Sequence, residues 1–310
     1  MKTLNRRSFV QRALAGGVLA SAPVLSHPLE MTQAPLKTGK HQVEPLKMSI
    51  MSYAFHGLLR RGMIDMFGYL ESSKYRYNLD AVHLWSGYFE STEDEYLQKV
   101  KEALAERELH AGDLAVDGAH VWDDNREIME KHYSNAKAYL KAAAVLGVPF
   151  VRIDAGGRGE SWTNEAFDHI VMRFKEYAQY ALDHGFKVGA ENHWGPERSW
   201  ENYQKLYHAV DHPAFGLSCH IGAWEGSEEE VARADRECAP WVCSTHIDWT
   251  ISTGPHLKEK LANLWNAGYQ GYYSVEHHSA KDEYREVEIQ LALVRNQLER
   301  FRDYGVTEAE

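Results

Sequence analysis

The chain has 310 residues, of which 44% are hydrophobic and 12% aromatic, enough for one large domain or two small ones. Its 34 Lys and Arg stand against 45 Asp and Glu, and the net charge of −11 comes with no basic block after the N-terminus. Because nucleic-acid binding depends on clustered cations, and because no apolar run reaches the ~18 residues of a membrane span, neither a nucleic-acid partner nor a membrane anchor is expected.

The N-terminal segment has the pattern of an export signal. A basic start that includes Arg6 and Arg7 precedes a mildly apolar stretch at residues 13–24. The arginine pair is followed one residue later by Phe and an aliphatic residue, which resembles a twin-arginine signal. We therefore expect residues 1–30 to be a twin-arginine signal peptide, residues 31–45 to be a linker, and the mature protein to be periplasmic. An ordinary export signal or a chance arginine pair is the alternative.

Eight short β-rich runs follow one another from residue 46 onward, and amphipathic segments with helical spacing accompany them. The runs are Met48–Phe55, Ala81–Phe89, Gly112–Val121, Phe150–Ala155, Lys187–His193, Phe215–Ile221, Val242–Trp249 and Tyr272–His277. The helical segments are Gly62–Ser72, Thr92–Glu106, Arg126–Leu146, Asn164–Asp183, Trp200–Val210, Glu228–Arg236, His256–Trp265 and Glu283–Tyr304. Eight strand–helix units fit the ~250 residues of an α/β (β/α)8 TIM barrel, predicted here for residues 46–310. A doubly wound open sheet is the alternative, but no Gly-rich phosphate turn follows the first run.

Ionisable residues, most of them His, end nearly every predicted strand. In such a barrel the reactive side chains lie at the C-terminal ends of the strands, so these residues are expected to meet at one mouth. Because side chains alternate along a strand, residues two positions apart lie on the same face. This applies to Glu191 with His193, His246 with Asp248, and Glu276 with His278. The set comprises His56, His83, His120, Asp154, Glu191, His193, His220, His246, Asp248, Glu276 and His278.

Four of these residues have the spacing of a metal site. Glu191, His220, His246 and Glu276 each lie about one strand–helix unit from the next, so they project from four successive strands toward one point. Two carboxylates and two imidazoles form a plausible set of ligands for a divalent metal. The imidazoles favour Mn, Zn or Co over Mg or Ca, which prefer oxygen ligands. Pairs of Glu and His in contact without a metal are the alternative.

These strand ends resemble those of the xylose isomerase-like barrels, a family that includes sugar isomerases and epimerases. The resemblance covers residues 46–303 and rests on the stretches Ala190–His193, Tyr273–Glu276 and Val151–Gly156. It implies that Glu191 and Glu276 each act as a metal ligand and also as a proton carrier.

The sequence departs from the family pattern at three strand ends. His220 stands where the family usually has an Asp ligand, and His83 stands where it often has a Glu. On the seventh strand His246 lies two residues before Asp248 instead of three, which leaves Thr245 as the other candidate ligand. These changes suggest a substrate or reaction different from that of the best-known sugar epimerases.

The other polar and aromatic residues at the strand ends are expected to contact the substrate. Packing over the barrel mouth is the alternative for the Trp residues. The predicted substrate contacts are His83, His120, Arg152, His193, Asp248, His278, Trp194 and Trp224.

The predicted activity is that of a divalent-metal-dependent sugar isomerase or epimerase, which transfers a proton next to a carbonyl through an enediolate. A keto-glycoside lyase or hydrolase that acts by β-elimination is the first alternative, and a non-catalytic sugar-binding protein is the second. Few cations surround the predicted mouth beyond Arg152 and Arg158, which favours a neutral sugar or keto-sugar over a sugar phosphate. The oligomeric state is left open, with a homo-oligomer among the options.

Overall fold

The computed structural model describes residues 46–306. The predicted signal peptide and the predicted linker lie outside these residues, and the twin-arginine export signal stays a prediction. Within the described part of the chain, no helix is both long and apolar enough to cross a lipid bilayer.

Eight parallel strands form the barrel. Strands β2 to β7 pair side by side in chain order, and β1 pairs with β8. Isolated parallel bridges from Met51 to His83 and from Ile247 to Val275 link the two sheets on both sides and close the ring. The strands are β1 (Met48–Ile50), β2 (Ala81–Trp85), β3 (His110–Val116), β4 (Phe150–Ile153), β5 (Lys187–Glu191), β6 (Phe215–His220), β7 (Val242–His246) and β8 (Tyr273–Val275). The predicted (β/α)8 TIM barrel is confirmed.

Helices surround the strands, and short 3-10 turns follow several strand ends. The α-helices are His56–Arg60, Met66–Glu71, Asp94–Glu106, Arg126–Leu146, Asn164–Asp183, Trp200–Val210, Glu228–Cys238, Trp249–Ser252, Leu257–Asn266 and Glu283–Tyr304. The 3-10 helices are Ser52–Phe55, Ser86–Tyr88, Gly195–Arg198 and Ala239–Trp241, and one π-helix spans Ser72–Arg76.

Helix Asn164–Asp183 shows how the sequence places such a helix on the barrel. The hydroxyl of Thr163 caps its N-terminus by accepting a hydrogen bond from a backbone N–H of the first turn. Phe174 and Tyr177, three residues apart, lie on the buried face, and the Phe174 ring centroid is 5.0 Å from that of Phe215 on β6. Burial of each such side chain contributes about 1.5–3 kcal/mol, so the amphipathic pattern fixes the face that meets the sheet.

Buried polar side chains tie neighbouring strands of the barrel together. The Tyr203 hydroxyl lies 3.0 and 3.1 Å from two backbone carbonyls, one on β5 and one on β6. The Gln290 amide donates to the carbonyls of Ile247 and Glu276 at 3.2 and 2.9 Å. Because buried polar groups need partners, these bonds fix the relative positions of the four strands that carry the predicted metal ligands.

Candidate metal centre and active site

The four predicted ligands meet at the C-terminal ends of β5 to β8. Oε1 of Glu191 lies 2.6 Å from Nδ1 of His246 and 3.3 Å from Nδ1 of His220. Oε2 of Glu276 lies 3.7 Å from Nδ1 of each imidazole. All four side chains are buried, with exposed fractions between 0% and 7%. The structure therefore brings together two carboxylates and two imidazoles from the ends of four strands.

Asn192 fixes the position of His220. Its amide donates to the carbonyl of His220 at 2.9 Å, and its carbonyl oxygen accepts from the backbone N–H of His220 at 2.8 Å. These paired bonds tie the end of β5 to the end of β6. Asn192 thus turns toward the neighbouring backbone, while Glu191 beside it faces the barrel interior.

The donor set fits a divalent cation. Nδ1 of His220 is buried and has no hydrogen-bond partner among residues 46–306. Donor atoms of Glu191, His220 and His246 all lie within 4.8 Å of one another. Ligands held about 2.0–2.2 Å from a metal ion stand a few ångströms apart, as these atoms do. A buried donor without a partner, aimed at two carboxylates and a second imidazole, is the arrangement a metal ion would satisfy.

The charges in this cluster are strongly coupled. Burial raises the pKa of Glu276, but His246, His278 and His220 outweigh it and hold the pKa at about 2. Burial likewise raises the pKa of Glu191, yet His246 and its other imidazole neighbours hold it well below the usual range. Burial lowers the pKa of His246, and the two carboxylates reverse this and raise it well above its usual value. Both carboxylates are therefore anionic at neutral pH and available as ligands.

A cavity of about 420 Å³ opens above this cluster. Its size lies in the range of small-molecule sites. Of the predicted site residues, it is lined by Glu276, His120, Arg152, His193, Trp194 and His278. Its wall also contains Tyr53, Trp85 and Asp117.

Arg152 links the metal cluster to a second group of acids. Its Nε lies 3.2 Å from Oε2 of Glu191, and its Nη1 lies 2.8 Å from Asp154 and 3.2 Å from Asp117. Arg152 as a whole is 4% exposed. It therefore neutralises buried carboxylates and at the same time presents one edge to the cavity.

Two predicted substrate contacts lie elsewhere. His83 is 1% exposed and does not line the cavity, because it points into the barrel, where Asp113 lies 3.8 Å away. Trp224 is 3% exposed, and its ring packs against Trp200 and Tyr203 at centroid distances of 5.2 and 5.8 Å. Neither residue lines this cavity.

Asp248 lies beside the cluster without lining the cavity. Its carboxylate caps helix Trp249–Ser252 by accepting a hydrogen bond from the N–H of Thr250 at 2.8 Å. One of its oxygens also lies within 4.8 Å of ring nitrogens of His220 and His278. Thr245, the alternative ligand on β7, instead donates to the carbonyl of Tyr272 at 3.0 Å.

The sequence model of the xylose isomerase-like TIM barrel family matches residues 74–303 of this chain. The chain belongs to this family. No curated protein sequence matches the chain significantly.

Solved structures of the xylose isomerase-like fold superpose on most of the chain. An L-ribulose 3-epimerase is 13% identical with a TM-score of 0.69, over 83% of this chain and 96% of that one. The 3-keto-D-glucoside 4-epimerase of E. coli is 15% identical with a TM-score of 0.65, over 81% and 99%. A protein of this fold from Mycobacterium smegmatis, in complex with magnesium, is 13% identical with a TM-score of 0.66, over 86% and 98%. At such low identity these likenesses establish the fold.

Asp113 is a residue of this xylose isomerase-like site that the sequence reasoning missed. It is fully buried in the middle of β3, and its Oδ2 lies 3.6 Å from Nε2 of His246. The Ser244 hydroxyl donates to the same oxygen at 2.6 Å. The carboxylate of Asp113 therefore lies on the side of the His246 ring that faces away from Glu191. An Asp inside the apolar run Ala111–Val116 was the sequence signal that could have pointed to this residue.

Glu197 is a second buried acid that the sequence did not indicate. It lies in the 3-10 helix Gly195–Arg198, is 0% exposed, and accepts a hydrogen bond from the backbone N–H of Ala155 at 2.7 Å. Burial, reinforced by the nearby charge of Asp154, raises its pKa well above the usual range.

The Glu197→Gln variant is expected to gain stability over the wild type as pH rises. The folded protein holds the Glu197 proton at pH values where the unfolded carboxyl, with a pKa of about 4.3, has lost it. The unfolding free energy of the wild type therefore falls with pH by up to about 1.4 kcal/mol per pH unit relative to the variant, which has no such group. Urea unfolding of both proteins at pH 5, 6.5 and 8 measures this difference. A variant whose relative stability declines toward pH 8 would contradict the prediction.

Proposed function

We propose that this protein is a divalent-metal-dependent sugar isomerase or epimerase. One observation carries the proposal: Glu191 and Glu276 converge with His220 and His246 at the strand ends, and Glu276 also lines a cavity of about 420 Å³. Two similar structures carry the names L-ribulose 3-epimerase and 3-keto-D-glucoside 4-epimerase, which agrees with chemistry at a sugar carbonyl.

The metal would be held by Glu191, His220, His246 and Glu276. When bound, a divalent cation supplies Lewis acidity that stabilises negative charge developing on a carbonyl oxygen. The two imidazoles favour Mn, Zn or Co. One similar structure is a complex with magnesium, so magnesium belongs among the ions to be tested.

The proton-transfer step needs a carboxylate on each side of the reacting carbon. Glu276 lines the cavity and takes the proton from the carbon next to the carbonyl. For epimerisation, Glu191 enters the step protonated and gives its proton to the opposite face of the same carbon, and exchange with solvent then resets both carboxyl groups. For isomerisation, Glu276 returns the proton that it took to the neighbouring carbon. Arg152 and His193 both line the cavity and donate hydrogen bonds to the substrate oxygens, which holds the sugar in one orientation.

Chelation is expected to abolish turnover and leave the fold in place. The purified protein is treated with EDTA and assayed in D2O for deuterium exchange into free ketoses, and each divalent ion is then added back separately. We expect exchange to fall to background and to return with at least one transition metal, because four buried donors then regain their ion. Exchange that survives complete removal of the metal, verified by elemental analysis, would refute the proposal, and circular dichroism controls for unfolding.

A β-elimination on a keto-glycoside is the second candidate, and His278 is the observation that favours it. Nε2 of His278 lies 3.1 Å from Oε2 of Glu276 and both residues line the cavity. The hydrogen bond to Glu276 raises the pKa of His278, which favours the protonated ring. That ring can protonate a leaving glycosidic oxygen once Glu276 has removed the proton next to the ketone. Release of a free sugar from a 3-keto-glycoside distinguishes this reaction from epimerisation.

A further inference from the structure

A second cleft of about 600 Å³ adjoins the candidate active site. His120 and Trp194 line both the cleft and the smaller cavity and form the boundary between them. Trp194 is 54% exposed, which is unusual for a large aromatic side chain. A ligand that fills the smaller cavity can therefore extend past these two side chains into the cleft.

The cleft is lined by groups suited to a sugar. Trp122 is half-buried, and its indole N–H donates to Oδ1 of Asp124 at 3.2 Å, which fixes the orientation of the ring. The guanidinium of Arg158 and a half-buried imidazole, His132, complete the polar part of the wall. Nδ1 of His132 is buried and has no hydrogen-bond partner in the described chain.

The glycine-rich loop after β4 gives this cleft its floor. Gly156, Gly157 and Gly159 all have positive φ values, which a residue with a side chain rarely adopts. A Cβ atom on Gly156 would collide with the carbonyl oxygen of Trp122. The N–H of Trp122 also donates to the carbonyl of Ala155 at 2.9 Å, so the Trp-bearing segment is tied to the end of β4. The cleft is thus part of the folded barrel and not a gap between loose loops.

We propose that this cleft is a second sugar-binding subsite, so that the substrate is a neutral glycoside of at least two units. This proposal rests on the proposed function, since the reacting unit occupies the smaller cavity. The attached unit packs its apolar C–H face on an indole and hydrogen-bonds its hydroxyls to the Asp and Arg side chains. The carboxylates of Asp123 and Asp124 disfavour an anionic group such as a phosphate in the same place.

Binding of unreacted sugars tests the subsite separately from the chemistry. Calorimetry compares glucose with the glucose disaccharides maltose, cellobiose and sophorose on the metal-loaded protein. We expect at least one disaccharide to bind about tenfold more tightly than glucose. Trp122→Ala is expected to remove most of this difference, and Asp124→Asn part of it, with glucose affinity unchanged. Asp168→Asn, an exposed site on helix Asn164–Asp183 that does not line the cleft, is the matched control.

The outcomes separate the two proposals. Equal affinities for glucose and all three disaccharides, or an equal loss of both affinities in Trp122→Ala, would overturn the subsite. Deuterium exchange into free ketoses at full rate in both cleft variants would then leave the proposed function standing. A disaccharide preference that depends on Trp122, in a protein that exchanges no sugar proton, would support the subsite and contradict the enzymatic function.

Discussion

Replacement of Glu276 by glutamine is expected to lower the rate of solvent-deuterium exchange into the substrate by about 10²–10⁴-fold, the usual effect of losing a positioned general base. Glutamine retains the side-chain volume and one oxygen atom, so the cavity keeps its shape. Its amide cannot accept a proton at neutral pH and carries no negative charge. The imidazoles of His220 and His246, each 3.7 Å from Oε2 of Glu276, also lose an anionic neighbour.

Metal content must be measured alongside this rate, because Glu276 is proposed to bind the ion as well. We expect reduced metal affinity, so the exchange assay is run at saturating metal to isolate the loss of the base. Glu288→Gln, on the exposed side of helix Glu283–Tyr304, is the matched control and is expected to retain both activity and metal. Exchange within threefold of the wild-type rate in Glu276→Gln at saturating metal would assign the base to another residue.

The helices of this fold were easier to predict than the strand ends. The bounds of Arg126–Leu146 and Glu283–Tyr304 follow from the sequence, since Asn125 and Asp282 cap their N-termini and each amphipathic pattern runs the whole length. The first predicted strand continues to Phe55, but the structure ends it at Ile50 and forms a 3-10 turn. An apolar run does not reveal where a strand loses its neighbour, because pairing depends on residues distant in the chain.

In the site, too, the features that follow from spacing along the chain could be predicted, and those that depend on contacts between distant residues could not. Spacing along the chain was enough to bring Glu191 and Glu276 to one point, because parallel strands place their C-terminal ends at the same edge. The depth of His83 could not be predicted this way, since it depends on the tilt and register of β2 against β3. Asp113 was missed because its partners Ser244 and His246 lie on β7, far from Asp113 along the chain.

Replacement of Arg152 by methionine is expected to reduce the unfolding free energy by about 3–5 kcal/mol, the usual effect of removing one partner from a buried ion pair. The guanidinium contacts Asp154 and Glu191, both 0% exposed. Methionine fills the space of the side-chain stem but leaves these carboxylates without their cation. Urea unfolding at pH 8 measures the loss. Arg285→Met, at an exposed position on helix Glu283–Tyr304, is the control and is expected to change stability by no more than about 0.5 kcal/mol.

The pH dependence of this loss identifies its electrostatic origin. Burial raises the pKa of Asp154 to about 7 even though Arg152 opposes the shift, so loss of Arg152 raises that pKa further. Between the unfolded pKa of about 3.9 and the folded value, the native state holds a proton that the unfolded state has lost, and stability falls as pH rises. In Arg152→Met the contribution of Asp154 to this fall continues above pH 7, where the same contribution has ended in the wild type. The stability gap is therefore expected to widen between pH 6 and pH 9, and a gap that narrows would mean that lost packing, and not uncompensated charge, destabilises the variant.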